Sequence, residues 1–406
     1  ALNFIGALCK EKECKSVVKS KSMVTEEIHL NDYLTSIGVE SVETDLGEYI
    51  QQLDGEAPYH IVTPAMHKSK EDVAKLFADK LGTDPKATPE QLTLVARKIL
   101  REKYIQAEVG VTGANFILAD VGGIAVTENE GNARLSCAFP KTHIVIVGIE
   151  KMLPSMHDLG LFWPLLATYG TGQQVTVYNS IVLGPKQPGE TDGPEEMVVI
   201  LLDNGRTNVL KNPVTRESLY CIRCGACLNA CPVYKNIGGH SYGATSSGPI
   251  GKVITPHLND LDEYKHLSYA SSLCGNCTEV CPVRINLHEL LLENRHEAVE
   301  QADRGGQGGG HLRSRAHRTR TDAGQGPRHR QGPRGDQAHR RHLPRPHHRR
   351  HRRVLRRRAD RQPRQAGRLH RRHRRPARRH ERGAAMAGAG RSPRRLDLAA
   401  RRRGGA

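Results

Sequence analysis

The segment CIRCGACLNACP sets Cys221, Cys224, Cys227 and Cys231 at x2, x2 and x3 spacing and closes on Pro232. A cubane iron–sulfur core needs thiolates converging on it from several directions. A tight loop with this spacing delivers three, and the fourth cysteine turns toward a second cluster. Gly225 permits backbone conformations that a side chain would hinder, and Pro232 ends the loop without offering an N–H. A second run, SSLCGNCTEVCP, repeats the pattern with one change. When Cys281-Pro282 is set on Cys231-Pro232, Cys277 and Cys274 fall into place and Ser271 takes the first ligand position. By the crossed logic of two-cluster ferredoxins, one cluster takes Cys221, Cys224, Cys227 and Cys281, and the other takes Cys231, Cys274 and Cys277. The second is then a three-iron cluster, or a four-iron cluster completed by Ser271, water, a partner or absent C-terminal sequence. Paired C-x2-C motifs also build tetrahedral zinc sites, but four cysteines at this spacing closing on proline match zinc poorly.

The ten cysteines, seven of them in two tight groups, are too clustered for a distributed disulfide scaffold. No secretory signal and no apolar run of transmembrane length is present, so a reducing, cytoplasmic setting is expected and an integral membrane protein is not. Cys9, Cys14 and Cys137 stand apart and read as small buried hydrophobes.

The net charge of +18 points at first to a nucleic acid or an anionic membrane. Its distribution argues otherwise. Residues 301–406 hold 34 arginines, no lysine and six acids, a balance of +28, so the first 300 residues carry −10. No nucleic-acid partner is expected for that acidic body. The segment 302–406 is rich in Arg, Gly and His and has too few apolar residues to offset the entropy of ordering. Read as a high-GC coding region in the wrong frame, it receives no fold. The competing readings are an Arg-rich nucleic-acid-binding tail and a solvated tail without a role. The chain opens mid-pattern at ALNFIGALCKEK, so a domain spanning 1–212 is expected to lack its N-terminal part.

Residues 1–212 alternate helix and strand signals. Helices are expected over 22–37, from Ser69 with Asp72 as a variant capping box, and from Thr88-Pro89-Glu90-Gln91 to about Tyr104. Strands are expected at 60–64, in two pieces of 115–129 about the Gly122-Gly123 turn, at 142–151, at 174–184 and at 197–205. The last is apolar on both faces, as a central strand would be. Together these indicate a three-layer α/β domain with a largely parallel sheet. Residues 213–301 lose the strand signals and read as a mostly helical dicluster domain, closed by a helix over 288–301.

The familiar nucleotide-binding and hydrolase motifs are absent. Lys19 and Lys21 precede a helix and could hold an anion, although a solvated capping loop explains them as well. The Gly-rich turns of 110–126 could cradle a ligand or serve as tight turns. His60, His67 and His143 read as structural histidines, and no catalytic residue is assigned.

The segments KSKSMVTEEIHLN, ETDLGEYIQQL, IVTPAMHK, GVTGANFILAD with ENEGNARL, CIRCGACLNACPVY and SSLCGNCTEVCPVRINLHELL, in this order, resemble the lactate utilization protein B family. The resemblance covers about residues 1–301. It implies a LUD domain of NagB/RpiA-like α/β type followed by a ferredoxin-type dicluster domain, in a cytoplasmic bacterial protein. It implies two 4Fe–4S clusters, the second incompletely ligated by cysteine, since the family's second motif also has three. It further implies a role with sister lactate-utilization proteins A and C, and a redox acceptor, in oxidising L-lactate to pyruvate. Two departures are the absent N-terminal stretch and the Arg-rich tail standing where the family has a helical region. An electron-transfer subunit is the favoured function. The alternatives are a self-contained 2-hydroxy-acid dehydrogenase with substrate in the LUD domain, against which stands the lack of a hydride-acceptor site, and a nucleic-acid-binding protein acting through the tail. Whether the chain is an enzyme by itself stays open.

Overall fold

The computed structural model describes residues 1–307. Beyond Gln307, the Arg-rich tail expected over 302–406 lies outside the described residues. Nine strands occur among the described residues: β1 Ser16–Lys19, β2 Glu40–Glu43, β3 Val109–Thr112, β4 Phe116–Leu118, β5 Gly123–Glu128, β6 Thr142–Gly148, β7 Met152–Leu153, β8 Tyr178–Val182 and β9 Glu196–Leu202. Five form a wholly parallel sheet in the order β2-β1-β3-β6-β9. The other four form a smaller mixed sheet, β7-β4-β5-β8.

The period-2 alternation of a strand distributes its side chains to two faces. Val17 of β1 packs with Val109, Val111, Ile144 and Ile146 against helices Leu2–Glu11 and Leu30–Ser36. Its neighbour Val18 joins Val42 on the opposite face, under helices Leu46–Asp54, Lys70–Leu81 and Pro89–Gln106. Val145 and Val147 of β6 meet Ile117 and Ile124 of the small sheet. The domain is thus three-layered α/β, as the alternating signals indicated. The Ser69/Asp72 and Thr88/Gln91 capping boxes both form, with Pro89 in the first helical turn. Each cap satisfies otherwise orphaned N–H groups and is worth about 1 kcal/mol.

Three local expectations fail for identifiable reasons. The helix over 22–37 is broken into Met23–Glu27 and Leu30–Ser36 by His29, whose φ is +53°. The break leaves Thr25 bonded to buried Lys19 while Leu30 and Leu34 enter the core. Residues 60–64 form no strand, because the His60 ring Nδ1 accepts the N–H groups of Val62 and Thr63, and a local bond replaces a ladder. The apolar run 197–205 gives β9, which sits at the sheet edge with Val199 41% and Leu201 50% exposed. The central strands β3 and β6 of this sheet are buried at every residue.

At the C-terminal end of β1, fully buried Lys19 pairs at 2.8 Å with both Glu26 and Glu43. Nearby Glu48 is also buried, and no donor reaches either of its carboxyl oxygens. Burial first, and the Glu43 charge next, raise its pKa well above the usual carboxylate range. A carboxyl raised in the folded state binds its proton more tightly there. Its contribution is therefore full below the unfolded pKa and is lost as pH climbs through the folded one. Glu48→Gln is expected to raise stability by about 1–2 kcal/mol at alkaline pH, with a gain that grows as pH rises above the unfolded carboxylate range. Urea midpoints at increasing pH check it, and a pH-independent gain would contradict it.

Among the described residues, all elements after helix Arg206–Lys211 are helical, including Ala226–Ala230, Pro232–Ile237, Gly248–Leu258, Leu261–Tyr269, Asn276–Glu279 and Leu287–Gln307. Leu228, Ile250, Val253, Leu267, Leu290 and Leu291 form their common core. Asn294, fully buried, locks three of these helices by donating to the Val253 carbonyl and the Ser268 hydroxyl. Among the described residues no helix is long and apolar enough to cross a membrane.

Candidate metal centre

The two cysteine motifs fold into the same loop twice. Arg223 and Gly225 have φ of +64° and +81°, and the matching Leu273 and Gly275 have +54° and +81°. Each loop then enters a short helix, Ala226–Ala230 or Asn276–Glu279. Left-handed conformations at Arg223 and Leu273 cost about 1–2 kcal/mol each, and such strain concentrates at functional loops. The Cys-Pro pairs have a visible purpose. Pro232 fills the first position of helix Pro232–Ile237, and the Cys231 sulfur accepts the Tyr234 N–H at 3.4 Å. The Cys221 and Cys281 sulfurs likewise accept backbone N–H groups from Arg223 and Ile285, each at 3.4 Å. Such donors stabilise negative charge on sulfur.

The two glycines differ in their surroundings. A Cβ at Gly225 would stand 3.1 Å from both His60 and Val62, whereas one at Gly275 meets nothing within 4 Å. Gly275→Ala should cost only the left-handed strain, about 1–2 kcal/mol. Gly225→Ala should cost clearly more, because the loop must also move off His60. Denaturation of the two variants checks the order, and equal losses would contradict it.

Cys227, Cys231, Cys277 and Cys281 are buried in one apolar cluster, against which half-buried Cys221 packs. Cys224 is buried in the adjoining cluster with Ile222, Phe116 and Leu166, and Cys274 is exposed. Mutual influence between the sulfurs falls largely into two sets. Burial pushes the Cys224 thiol up to about 11, with Cys221 and Cys281 adding to the rise. Burial likewise raises Cys281, helped by Cys221, and Cys227, helped by Cys221, Cys224 and Cys277. Cys277 is raised by burial and then by Cys231 and Cys274. Buried thiols of this kind stay protonated unless a metal binds them.

Zinc holds its four thiolates about 3.8 Å apart, from Zn–S bonds of about 2.3 Å in a tetrahedron. No three of the seven sulfurs lie within 4.8 Å of one another; the group that meets this limit among the described residues is Glu56, His67 and His240. Five of the seven cysteines lie in or against one apolar cluster beneath the two loops, a setting suited to a buried cubane core, so the residues fit the iron–sulfur group. Ser271, at the position homologous to a first ligand, lies half-buried, and its hydroxyl accepts the Leu273 N–H at 3.2 Å.

Two buried lysines, which the sequence reading missed, attend the loops. Lys252 is fully buried, donates to the Ala270 carbonyl and stands 5.3 Å from the Tyr242 ring centre. Burial pulls its pKa down, while Cys231 and Cys277 pull it back up. Lys151 donates to the Cys221 carbonyl. Among the described residues neither has a carboxylate within 4.0 Å. An unpaired buried ammonium is expensive, and anionic sulfur beside Lys252 would balance it. Its position as the lone charge in PIGKVITP was the available signal.

The remaining candidates separate cleanly. Lys19 is locked in its ion pairs and is a structural cation. Lys21 donates to the Val62 carbonyl at 2.6 Å and lines a cleft of about 350 Å³. That cleft lies where β1, β3 and β6 end, and Gly113 and Asn115 of the Gly-rich turns also line it, as does Cys224. Gly110 is a packing glycine, since a Cβ there would fall 1.8 Å from the Ser136 carbonyl oxygen. His67 is exposed beside Glu56. His143 bonds Thr112 at 2.8 Å and faces the Cys137 sulfur at 3.4 Å. Burial pulls His143 down to about 4 and pushes Cys137 up to about 11, so the pair is neutral. Cys9 and Cys14 are buried in the sheet core.

Comparison with known proteins agrees with this division. Residues 1–202 match the LUD domain, and residues 217–285 match the 4Fe-4S dicluster domain. Lactate utilization protein B of Bacillus licheniformis is 48% identical over 305 residues, which are 75% of this chain and 64% of the relative. The proteins of that name from Bacillus thuringiensis and Bacillus cereus are 50% identical over 304 residues, with the same shares. The chain thus spans less than two thirds of the length of these relatives. No solved structure matches it.

Proposed function

Since the chain belongs to the proteins that join a LUD domain to a 4Fe–4S dicluster domain, and is similar to lactate utilization protein B, we propose that it is the electron-carrying subunit of a cytoplasmic L-lactate-oxidising assembly. In this reading residues 1–212 form the LUD domain and 213–301 the dicluster domain. Cys221, Cys224, Cys227 and Cys281 hold one 4Fe–4S cluster. Cys231, Cys274 and Cys277 hold the second, completed by a ligand other than cysteine or lacking one iron. Iron–sulfur clusters, when bound, take up and release single electrons.

The chain's own residues supply the rest. Backbone N–H groups of Arg223, Tyr234 and Ile285 point at three of the sulfurs, which favours their anionic form. Leu228, Ile250 and Leu290 keep water from the buried cysteines. Lys252 supplies a fixed positive charge on the side of Cys231 and Cys277. The observation that carries the proposal is the position of the two sets. Cys224 closes one wall of the cleft, and Cys274 is exposed at the other loop. Cys224 thus faces a protected site and Cys274 a surface open to a partner, which supports an electron conduit.

The sister proteins A and C of a lactate-utilization system and a redox acceptor are the proposed partners. The test is anaerobic. L-lactate should alter the electron paramagnetic resonance of this chain only when the sister proteins are present. Dye reduction by the chain alone with L-lactate would replace the proposal with a self-contained dehydrogenase, and no change with partners present would remove it.

A further inference from the structure

The cleft where the parallel strands end has no counterpart in the cysteine chemistry. Ligands of open α/β sheets bind outside the carboxyl ends of the strands, and about 350 Å³ is within the size of ligand sites. Its charges fall into two groups. Lys151 and Arg223, from different elements, stand together near Glu150, whose carboxyl responds to both. Glu150 itself is taken by Arg206 at 2.6 Å, and Glu27, which also lines the cleft, is taken by the same guanidinium at 2.8 and 3.0 Å. Lys151 and Arg223 are therefore left without a carboxylate of their own within 4.0 Å among the described residues. Arg223 keeps one side-chain bond, from Nη1 to the Ser246 hydroxyl at 3.1 Å. Lys21, Asp45 and Glu130 form the second group, with Glu128 beside them. Lys21 stands 3.7 Å from Asp45, and Glu128 accepts the N–H groups of Ala133 and Arg134 at 2.7 and 3.0 Å.

We propose that this cleft binds a small hydroxy-carboxylate, with its carboxylate at Arg223 and Lys151 and its hydroxyl toward Glu128 and Glu130. Two cations lacking an acid match a carboxylate, and the acceptor carboxylates of the second group match a hydroxyl donor. The choice of a 2-hydroxy acid as the probe rests on the lactate reading above. The cleft's wall at Ile222, Arg223 and Cys224 belongs to the first cysteine loop, so a bound acid lies directly against that loop.

The test measures binding, not turnover. Full-length chain, prepared without oxygen, is titrated calorimetrically with L-lactate, pyruvate and propane-1,2-diol, which keeps the hydroxyl and lacks the carboxylate. L-lactate is expected to bind and the diol not. Arg223→Gln should weaken L-lactate at least tenfold when compared at matched iron content, and Arg223→Lys should recover part of the loss. Glu128→Gln, away from the cysteine loop, should weaken L-lactate more than pyruvate. Binding of the diol as tight as that of L-lactate would overturn the proposal. So would L-lactate affinity indifferent to Arg223→Gln and Glu128→Gln, or no L-lactate binding at all. If binding fails while L-lactate and the sister proteins still alter the resonance signal, the site is wrong and the electron-carrying reading stands.

Discussion

Cys281→Ala and Cys221→Ala are expected to abolish the same paramagnetic signal and about half of the bound iron, although they lie in different motifs. Cys231→Ala and Cys274→Ala should abolish the other signal. The reason is the crossed assignment of the sulfurs proposed above. Cys221 acts on Cys224, Cys227 and Cys281, while Cys231 and Cys274 act on Cys277. A cubane with one thiolate removed loses an iron or the whole core. The effect of Cys281→Ala should exceed that of Cys274→Ala. Cys281 is buried and its sulfur also accepts the Ile285 N–H, whereas Cys274 is exposed. The informative comparison is Cys221→Ala with Cys231→Ala. Loss of one common signal from both would mean that each motif holds its own cluster, and the crossed assignment would fall.

Arg206→Met is expected to cost about 3–5 kcal/mol, a large share of the 5–15 kcal/mol that holds a typical domain together. Arg206 is fully buried at the end of β9 and binds Glu27 and Glu150 together. Gly148 makes the space: a Cβ there would lie 2.6 Å from the Arg206 Nε and 2.0 Å from a Glu150 carboxyl oxygen. Burial pushes Glu150 up, but Lys151 and Arg206 prevail and hold its carboxyl below the usual range. Methionine fills the volume and leaves two carboxylates buried without their cation. Denaturant midpoints measure the loss, and a cost below about 1 kcal/mol would show that water reaches the site. Adding Glu27→Gln and Glu150→Gln should restore much of the stability, because pairing and not volume sets the cost.

What could be read from sequence followed from the range of the forces involved. The Ser69 and Thr88 capping boxes are local, and each appears in the structure as its residues implied. The strand run 197–205 was legible as a strand but not as an edge, because exposure of Val199 and Leu201 depends on what lies beside β9. The His29 break and the His60 turn were hidden because one side chain or one φ value overrode a helical or strand-like pattern. The cleft was illegible for a different reason. Lys21, Asn115, Glu128, Lys151 and Arg223 come from five separate segments, and only the folded chain brings them together. Lys151 and Lys252 carried only the signal of a charge amid apolar residues, which marks burial without naming a partner.

All of this depends on inorganic iron and sulfide sitting among the seven cysteines. Purification without oxygen, followed by iron, acid-labile sulfide and zinc analysis and resonance spectroscopy of the reduced protein, decides it in one preparation. The account predicts a brown protein with iron and sulfide in near-equal amounts and two distinguishable cluster signals. A colourless protein holding zinc, or no metal, would contradict it.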